Sequence, residues 1–208
     1  MGSRQHRVMA YHAEDQIDRV VRETFFADDA YKGVIVEVGA AGPEYLSIGR
    51  HFRESGWSII AIEPNPAFCE LHRKAGFDTL QYACGDHDED DVSFEVVYQP
   101  APYKGGQVTY ESFSALRVLD SYRALNPGIT TTTINVQLRR LDTLLSLYAP
   151  DAAAIDILTI DVEGWELGVM QGLSLPRYMP RIVIMENFMG DSKYCPYMRE
   201  RGYELFRE

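Results

Sequence analysis

The chain has 208 residues, 46% of them hydrophobic, enough apolar side chain for one sizeable core and too little length for a second full domain. Its formal charge of -11, with no stripe of lysine and arginine, argues against a nucleic-acid partner, because binding a phosphate backbone needs clustered cations. Cys69, Cys84 and Cys195 have no metal-like spacing and no apolar run approaches membrane-spanning length, so a soluble cytoplasmic protein with free thiols and no membrane insertion is expected.

Apolar Ile17, Val20, Val21 and Phe25 recur at helical spacing, which predicts an amphipathic helix over residues 14–26 within an N-terminal extension, residues 1–32. Residues 33–208 read as one α/β domain. A β-branched run, residues 34–38, leads through Glu37 into Gly39-Ala40-Ala41-Gly42. Two glycines there let the backbone turn sharply and approach a ligand. A helix over residues 44–54 would aim its amides at that ligand. The strand at 58–62 closes with Glu63-Pro64-Asn65-Pro66, so a second carboxylate stands about twenty residues after the loop, where ribose hydroxyls need an acceptor. A helix over 66–74 and a strand over 79–84 follow, each crossover expected to be right-handed.

Residues 86–91 are acidic and read as a solvated turn, and residues 93–98 alternate like an added strand. Residues 99–133 then break the pattern with Pro100, Pro102, Gly105 and Gly106, aromatic Tyr103, Tyr110 and Phe113, and a threonine run. So long a segment without period reads as a lid or substrate wall, its aromatic rings suited to stacking on a sugar or polyketide face, or else as a disordered insertion. Leu141-Asp142-Thr143 reads as a capped helix start. The fourth strand, from Ile157, runs into Asp161-Val162-Glu163-Gly164-Trp165-Glu166, and the fifth, 181–185, into Glu186-Asn187. Carboxylates at strand C-termini face the ligand crevice of an open α/β sheet, so Asp161, Glu186 and Asn187 are expected to converge. Glu166 reads as a helix-start carboxylate, and Glu163 stays open between the two roles. His51 and His72 read as ordinary helix-surface residues. A helix over 193–201 and a short strand over 203–206 end the chain.

Taken in order, Glu37-Val38-Gly39-Ala40-Ala41-Gly42, Ile62-Glu63-Pro64-Asn65-Pro66, Leu141-Asp142-Thr143-Leu144, Ile160-Asp161-Val162-Glu163-Gly164-Trp165-Glu166 and Met185-Glu186-Asn187 resemble the FkbM family of S-adenosylmethionine-dependent methyltransferases, from about residue 33 to 203. The resemblance implies a class I methyltransferase (Rossmann-like) fold, a mostly parallel sheet with helices on both faces. It also implies methyl transfer to a hydroxyl of a sugar, glycolipid or natural-product acceptor. Carried across, Glu37, Gly39, Ala40 and Gly42 would hold the methionine part of the cofactor and Glu63, with Pro64 beside it, the ribose. Asn65 reads first as a helix cap and second as a cofactor contact. Ala83 and Cys84 would flank the adenine. Asp86 would accept from its exocyclic amine or simply begin the acidic turn. The family's closing hairpin of two strands is expected to be incomplete, the sequence being either shortened or one strand short, and an unpaired edge would invite a homodimer or covering by the N-terminal helix.

Asp161, counted also among the cofactor contacts, is the leading catalytic candidate, as a base, as an acceptor orienting the hydroxyl, or as a ligand to a magnesium-type divalent metal with Glu186 and Asn187. Glu163 joins the candidates. Two other readings stand beside this one. In the first the chain is a subunit that binds S-adenosylmethionine without catalysis. The second, a nicotinamide-dependent oxidoreductase, is disfavoured by Pro43 and Glu44, which occupy the place where a pyrophosphate should sit.

Overall fold

The computed structural model describes residues 10–44, 46–99, 109–151, 154–187, 190 and 192–207. Its centre is a five-stranded, all-parallel sheet built from β1 (Val34–Val38), β2 (Ser58–Ile62), β3 (Thr79–Leu80), β7 (Ile157–Ile160) and β8 (Ile182–Met185), in the order β3-β2-β1-β7-β8. The order reverses between β1 and β7. At such a point the flanking crossovers leave on opposite faces and open a crevice at the strand C-termini.

Period-two alternation distributes β1 between two cores. Val36 and Val38 point into the larger one with Leu141, Leu144, Leu158 and Ile160. Ile35 and Ile157 point the other way, against Val21, Phe26, Phe52 and Trp57. These last residues come from α1 (Ile17–Phe25) and α2 (Ile48–Glu54) and their flanks, so the N-terminal helix covers one face of the sheet. Helix α1 is shorter than the periodicity suggests: residues 14–16 form a separate 3-10 turn, and Asp15 and Gln16 are left-handed.

A second sheet of three strands, ordered β4-β6-β5, is made by β4 (Ala83–Gly85), β5 (Glu89–Tyr98) and β6 (Thr130–Arg140). Two expectations are corrected here. The strand expected over 79–84 is two strands in two sheets, broken at Gln81 and Tyr82. The threonine run is not part of an irregular segment but the first half of β6, antiparallel to β5 from Tyr98↔Thr130 onward. Between them lie a 3-10 turn (Tyr110–Phe113) and α4 (Asp120–Leu125). Residues 101–108, with Tyr103, fall outside the described residues.

The remaining helices are α3 (Pro66–Lys74), α5 (Leu141–Tyr148), α6 (Glu166–Gln171), α7 (Leu175–Tyr178) and α8 (Tyr194–Arg199). Asp142 does not cap its own helix; its Oδ1 accepts from Ser174 N–H at 2.7 Å and ties α5 to the start of α7. Residues 203–207 carry no strand, so the expected terminal strand over 203–206 is absent. Among the described residues, no helix is long and apolar enough to cross a membrane.

Candidate active site

At the C-terminal edge of the parallel sheet lies a cavity of about 970 Å3. The β1–α2 loop forms its floor. Gly39 N–H and Ala40 N–H both donate to Ile62 O, at 3.0 and 3.1 Å, which turns the chain across the end of β2. Gly39 has φ +79°, and a Cβ there would stand 1.7 Å from the carbonyl oxygen of Asp161, so glycine is obligatory. Gly42 differs: a Cβ would meet only the far end of Leu71, at 3.9 Å. Its smallness leaves room on the cavity side and is not needed by the turn.

Helix α2 begins at Ile48 behind its Ser47 cap, later than the expected residue 44, because Leu46 is left-handed and bridges to Ala13. Its first amides are turned to the protein. Glu37, on the same face of β1 as Ile35, accepts from Gly49 N–H at 2.8 Å. Burial pushes the Glu37 carboxyl up, and its Oε2 is buried without a hydrogen-bond partner. Glu37 lines the cavity; the Arg53 guanidinium, 3.8 Å from this oxygen, partly offsets the charge without making a hydrogen bond, so the oxygen can still take a donor.

Glu63, the residue after β2, is 5% exposed and lines the cavity. Its Oε2 accepts from Ala41 N–H at 2.9 Å and its Oε1 from Asn65 N–H at 2.8 Å. Burial lifts it to about 7 in spite of these donors, and the nearby Asp161 adds to the rise. Each oxygen keeps a second lone pair for further donors. Asn65 is the α3 cap, Oδ1 accepting from Ala67 N–H at 3.0 Å, and does not itself line the cavity. Pro64, Ala83 and Cys84 do, and burial forces the Cys84 thiol far up, so it stays neutral. Asp86 falls outside the lining; it is exposed and hydrogen-bonded to His87 at 2.6 Å, in the acidic turn.

On the other side of the crevice Asp161 follows β7 and Glu186 follows β8, their amides continuing the ladder to Val38 O (3.0 Å) and Ile160 O (2.9 Å). Asp161, Glu163 and Glu186 each present an oxygen within 4.8 Å of the others. Asp161 opens onto the cavity but is walled elsewhere, which lifts it to about 6, held from going higher by a hydrogen bond from Glu186. Burial and repulsion from its neighbours lift Glu163 to about 8 and Glu186 to about 10. Among the described residues, no cationic side chain offsets any of the three. At neutral pH the cluster therefore keeps protons on Glu186 and Glu163, with Glu186 donating to an ionised Asp161. Asn187 is exposed and outside the cavity lining, so the third oxygen of the cluster is Glu163's. Glu166 is 1% exposed and structural: it accepts from Val162 and Gly164 N–H and from the Tyr194 hydroxyl, fixing the turn that carries Glu163.

The sequence reading missed two contributors. His51 and His72 are buried, at 2% and 1% exposure, not on the helix surface. His51 bonds Ala10 O and stacks on Tyr11; His72 bonds Ala41 O, inside the glycine loop. Its spacing from Phe68 on the inner face of α3 was the available signal. Phe113, Trp165 and Glu14 complete the cavity wall.

The family model for the Methyltransferase FkbM domain matches residues 30–205, bearing out the resemblance drawn from the motifs. Methyltransferase 1 of Beauveria bassiana (strain ARSEF 2860) is 27% identical over 173 residues, 78% of this chain and 66% of the relative, so the chain spans just under two thirds of that relative's length. No solved structure matches.

Proposed function

Because this chain belongs to the FkbM methyltransferase family, we propose that it is an S-adenosylmethionine-dependent O-methyltransferase acting on a hydroxyl of a small-molecule or glycan acceptor. The observation that carries the reading is the pairing of two unlike acidic sites across one cavity. Glu63 stands at the end of β2, and Asp161 with Glu163 and Glu186 stands at the ends of β7 and β8. The residues suit the cofactor. Glu63 has lone pairs to spare for two ribose hydroxyls, and the Oε2 of Glu37, which accepts no hydrogen bond and has Arg53 only at 3.8 Å, suits the methionine ammonium. Ala83 and Cys84 offer an apolar wall for the adenine, and Asp86 is too far into solvent to serve it. When bound, the cofactor supplies a sulfonium methyl already activated for displacement.

The chain's own part is then to hold the acceptor oxygen in line, keep water out and take its proton. Asp161 is the group for that last task. It is ionised above about pH 6 and its carboxylate opens to the cavity, while protonated Glu186 donates to it and fixes its orientation. Trp165 and Phe113 offer flat apolar faces to the acceptor. Domain boundaries follow the same reading: residues 33–208 are the catalytic unit, residues 1–32 an extension whose helix α1 covers the sheet, and residues 109–116, after β5, give a wall of the acceptor pocket.

A second reading is favoured because, among the described residues, no cationic partner stands by the three carboxylates. A magnesium-type cation would be held by Asp161, Glu163 and Glu186, with Asn187 excluded from the ligand set, and would lower the acidity barrier of the acceptor hydroxyl. Transfer of labelled methyl from S-adenosylmethionine to a panel of sugars, phenols and macrolide alcohols, with and without EDTA, tests both. Turnover unaffected by EDTA supports Asp161 as base, turnover restored only by magnesium supports the cation, and cofactor binding without turnover on any acceptor supports a non-catalytic subunit.

A further inference from the structure

We infer that His72 is the positioning residue of the cofactor loop, acting from behind it. The inference rests on the reading of the cavity as a cofactor site and goes beyond it, since His72 touches neither the cavity nor any residue of the acidic cluster. The α3 helix turns one face toward the β2–α3 junction. Asn65, Cys69 and His72, at i, i+4 and i+7, lie along that face. Asn65 N–H bonds Glu63 Oε1 at 2.8 Å, the Cys69 thiol donates to Glu63 O at 3.1 Å, and His72 Nε2 lies 3.0 Å from Ala41 O. Ala41 N–H in turn donates to Glu63 Oε2 at 2.9 Å.

Ala41 is thus held from both of its peptide groups, and it needs to be. It sits at φ +43°, a left-handed conformation that a residue with a Cβ does not hold without external ties. Glu63 grips one side of it and His72 the other. His72 is 1% exposed, and its Nδ1 is buried without a partner. The contact requires a proton on Nε2, the ring nitrogen that has an acceptor in reach among the described residues, and burial pushes the imidazole down toward its neutral form, outweighing the Ala41 hydrogen bond. The orphaned Nδ1 also shows that the ring is not there to satisfy its own polarity: a purely apolar side chain would fill the space at less cost, so the Nε2 contact is what the position gains. Releasing Ala41 O frees the loop to relax from the left-handed state, turns Ala41 N–H away from Glu63, and disorders the carboxylate that is to receive the ribose.

Two variants separate positioning from packing. His72→Leu keeps the bulk and removes the donor; His72→Gln returns an amide donor at about the reach of Nε2. Hydrogen exchange at the Ala41 amide of the ligand-free protein is measured together with calorimetric binding of S-adenosylhomocysteine. In His72→Leu, Ala41 exchange should accelerate at least about tenfold and the Kd rise by about tenfold, with the thermal midpoint close to wild type. In His72→Gln both should return to within about threefold of wild type. Unchanged Ala41 exchange in the leucine variant overturns the inference, as does a glutamine variant that loses protection just as the leucine variant does. If the leucine variant does not fold, the glutamine variant decides by the same criterion. Should the wild-type protein take up no S-adenosylhomocysteine, the cofactor reading fails, while Ala41 exchange still decides whether His72 holds the loop.

Discussion

Replacing Glu186 by glutamine should stabilise the protein, and by an amount that grows with pH. Burial first, and then the neighbouring Asp161 and Glu163, with no cation among the described residues to offset them, drive the carboxyl up to about 10, against about 4.3 in an unfolded chain. The folded state therefore keeps a proton that the unfolded state surrenders. For an acid raised in this way, folding stability falls as pH climbs from about 4.3 toward 10. At about 1.4 kcal/mol for each pH unit, holding that proton at pH 8 costs at most about 5 kcal/mol. Asp161 and Glu163 share the repulsion, so about half of this, roughly 2–3 kcal/mol, is the expected gain. Glutamine cannot titrate, and its amide can donate to Asp161 where the Glu186 hydroxyl does now. Urea unfolding of wild type and Glu186→Gln should show the variant ahead by roughly 2–3 kcal/mol at pH 8 and by under about 1 kcal/mol at pH 5. A difference independent of pH, or a variant less stable at pH 8, would refute the crowding of protons at this strand mouth.

Other consequences follow from the same geometry. Asp161→Asn should lower turnover by at least about 100-fold while leaving cofactor affinity within about threefold, because general-base loss acts on the chemical step; an equal fall in affinity would assign Asp161 to binding. Wild-type turnover should rise with pH through about 6 as Asp161 ionises, and a flat pH profile would remove it as the base. Gly39→Ala should fail to fold or lose at least about 3 kcal/mol, since its Cβ would overlap the Asp161 carbonyl. Gly42→Ala should keep wild-type stability, and melting curves of the pair would expose any error in the loop's placement.

The parallel sheet was legible because its strands are continuous β-branched runs buried on both faces, as Val34–Val38 and Ile157–Ile160 show. The strand ends were legible for the same reason: once the runs are placed, Glu63, Asp161 and Glu186 must follow at the sheet's C-terminal edge. The second sheet was not. Strand β4 pairs with β6 through Ala83↔Leu138, a partner more than fifty residues on, and no local pattern in Ala83-Cys84-Gly85 announces it. Strand β6 opens with four threonines whose faces are too alike for a register to be read. Asn187 was misplaced because adjacency to Glu186 in sequence does not put both side chains on one side of an extended chain. His72 was missed because a histidine near a helix end carries no apolar signature, although its i+4 spacing from buried Phe68 marks the inner face.

The central claim is that Glu63, held by the Ala41 and Asn65 amides, receives the nucleoside of S-adenosylmethionine across the strand mouths. A calorimetric titration of that cofactor into wild type and Glu63→Ala tests it most directly. The account expects saturable one-site binding to wild type and an affinity at least about tenfold weaker in the variant, the worth of one charge-assisted hydrogen bond. Equal affinity in the two proteins would contradict it.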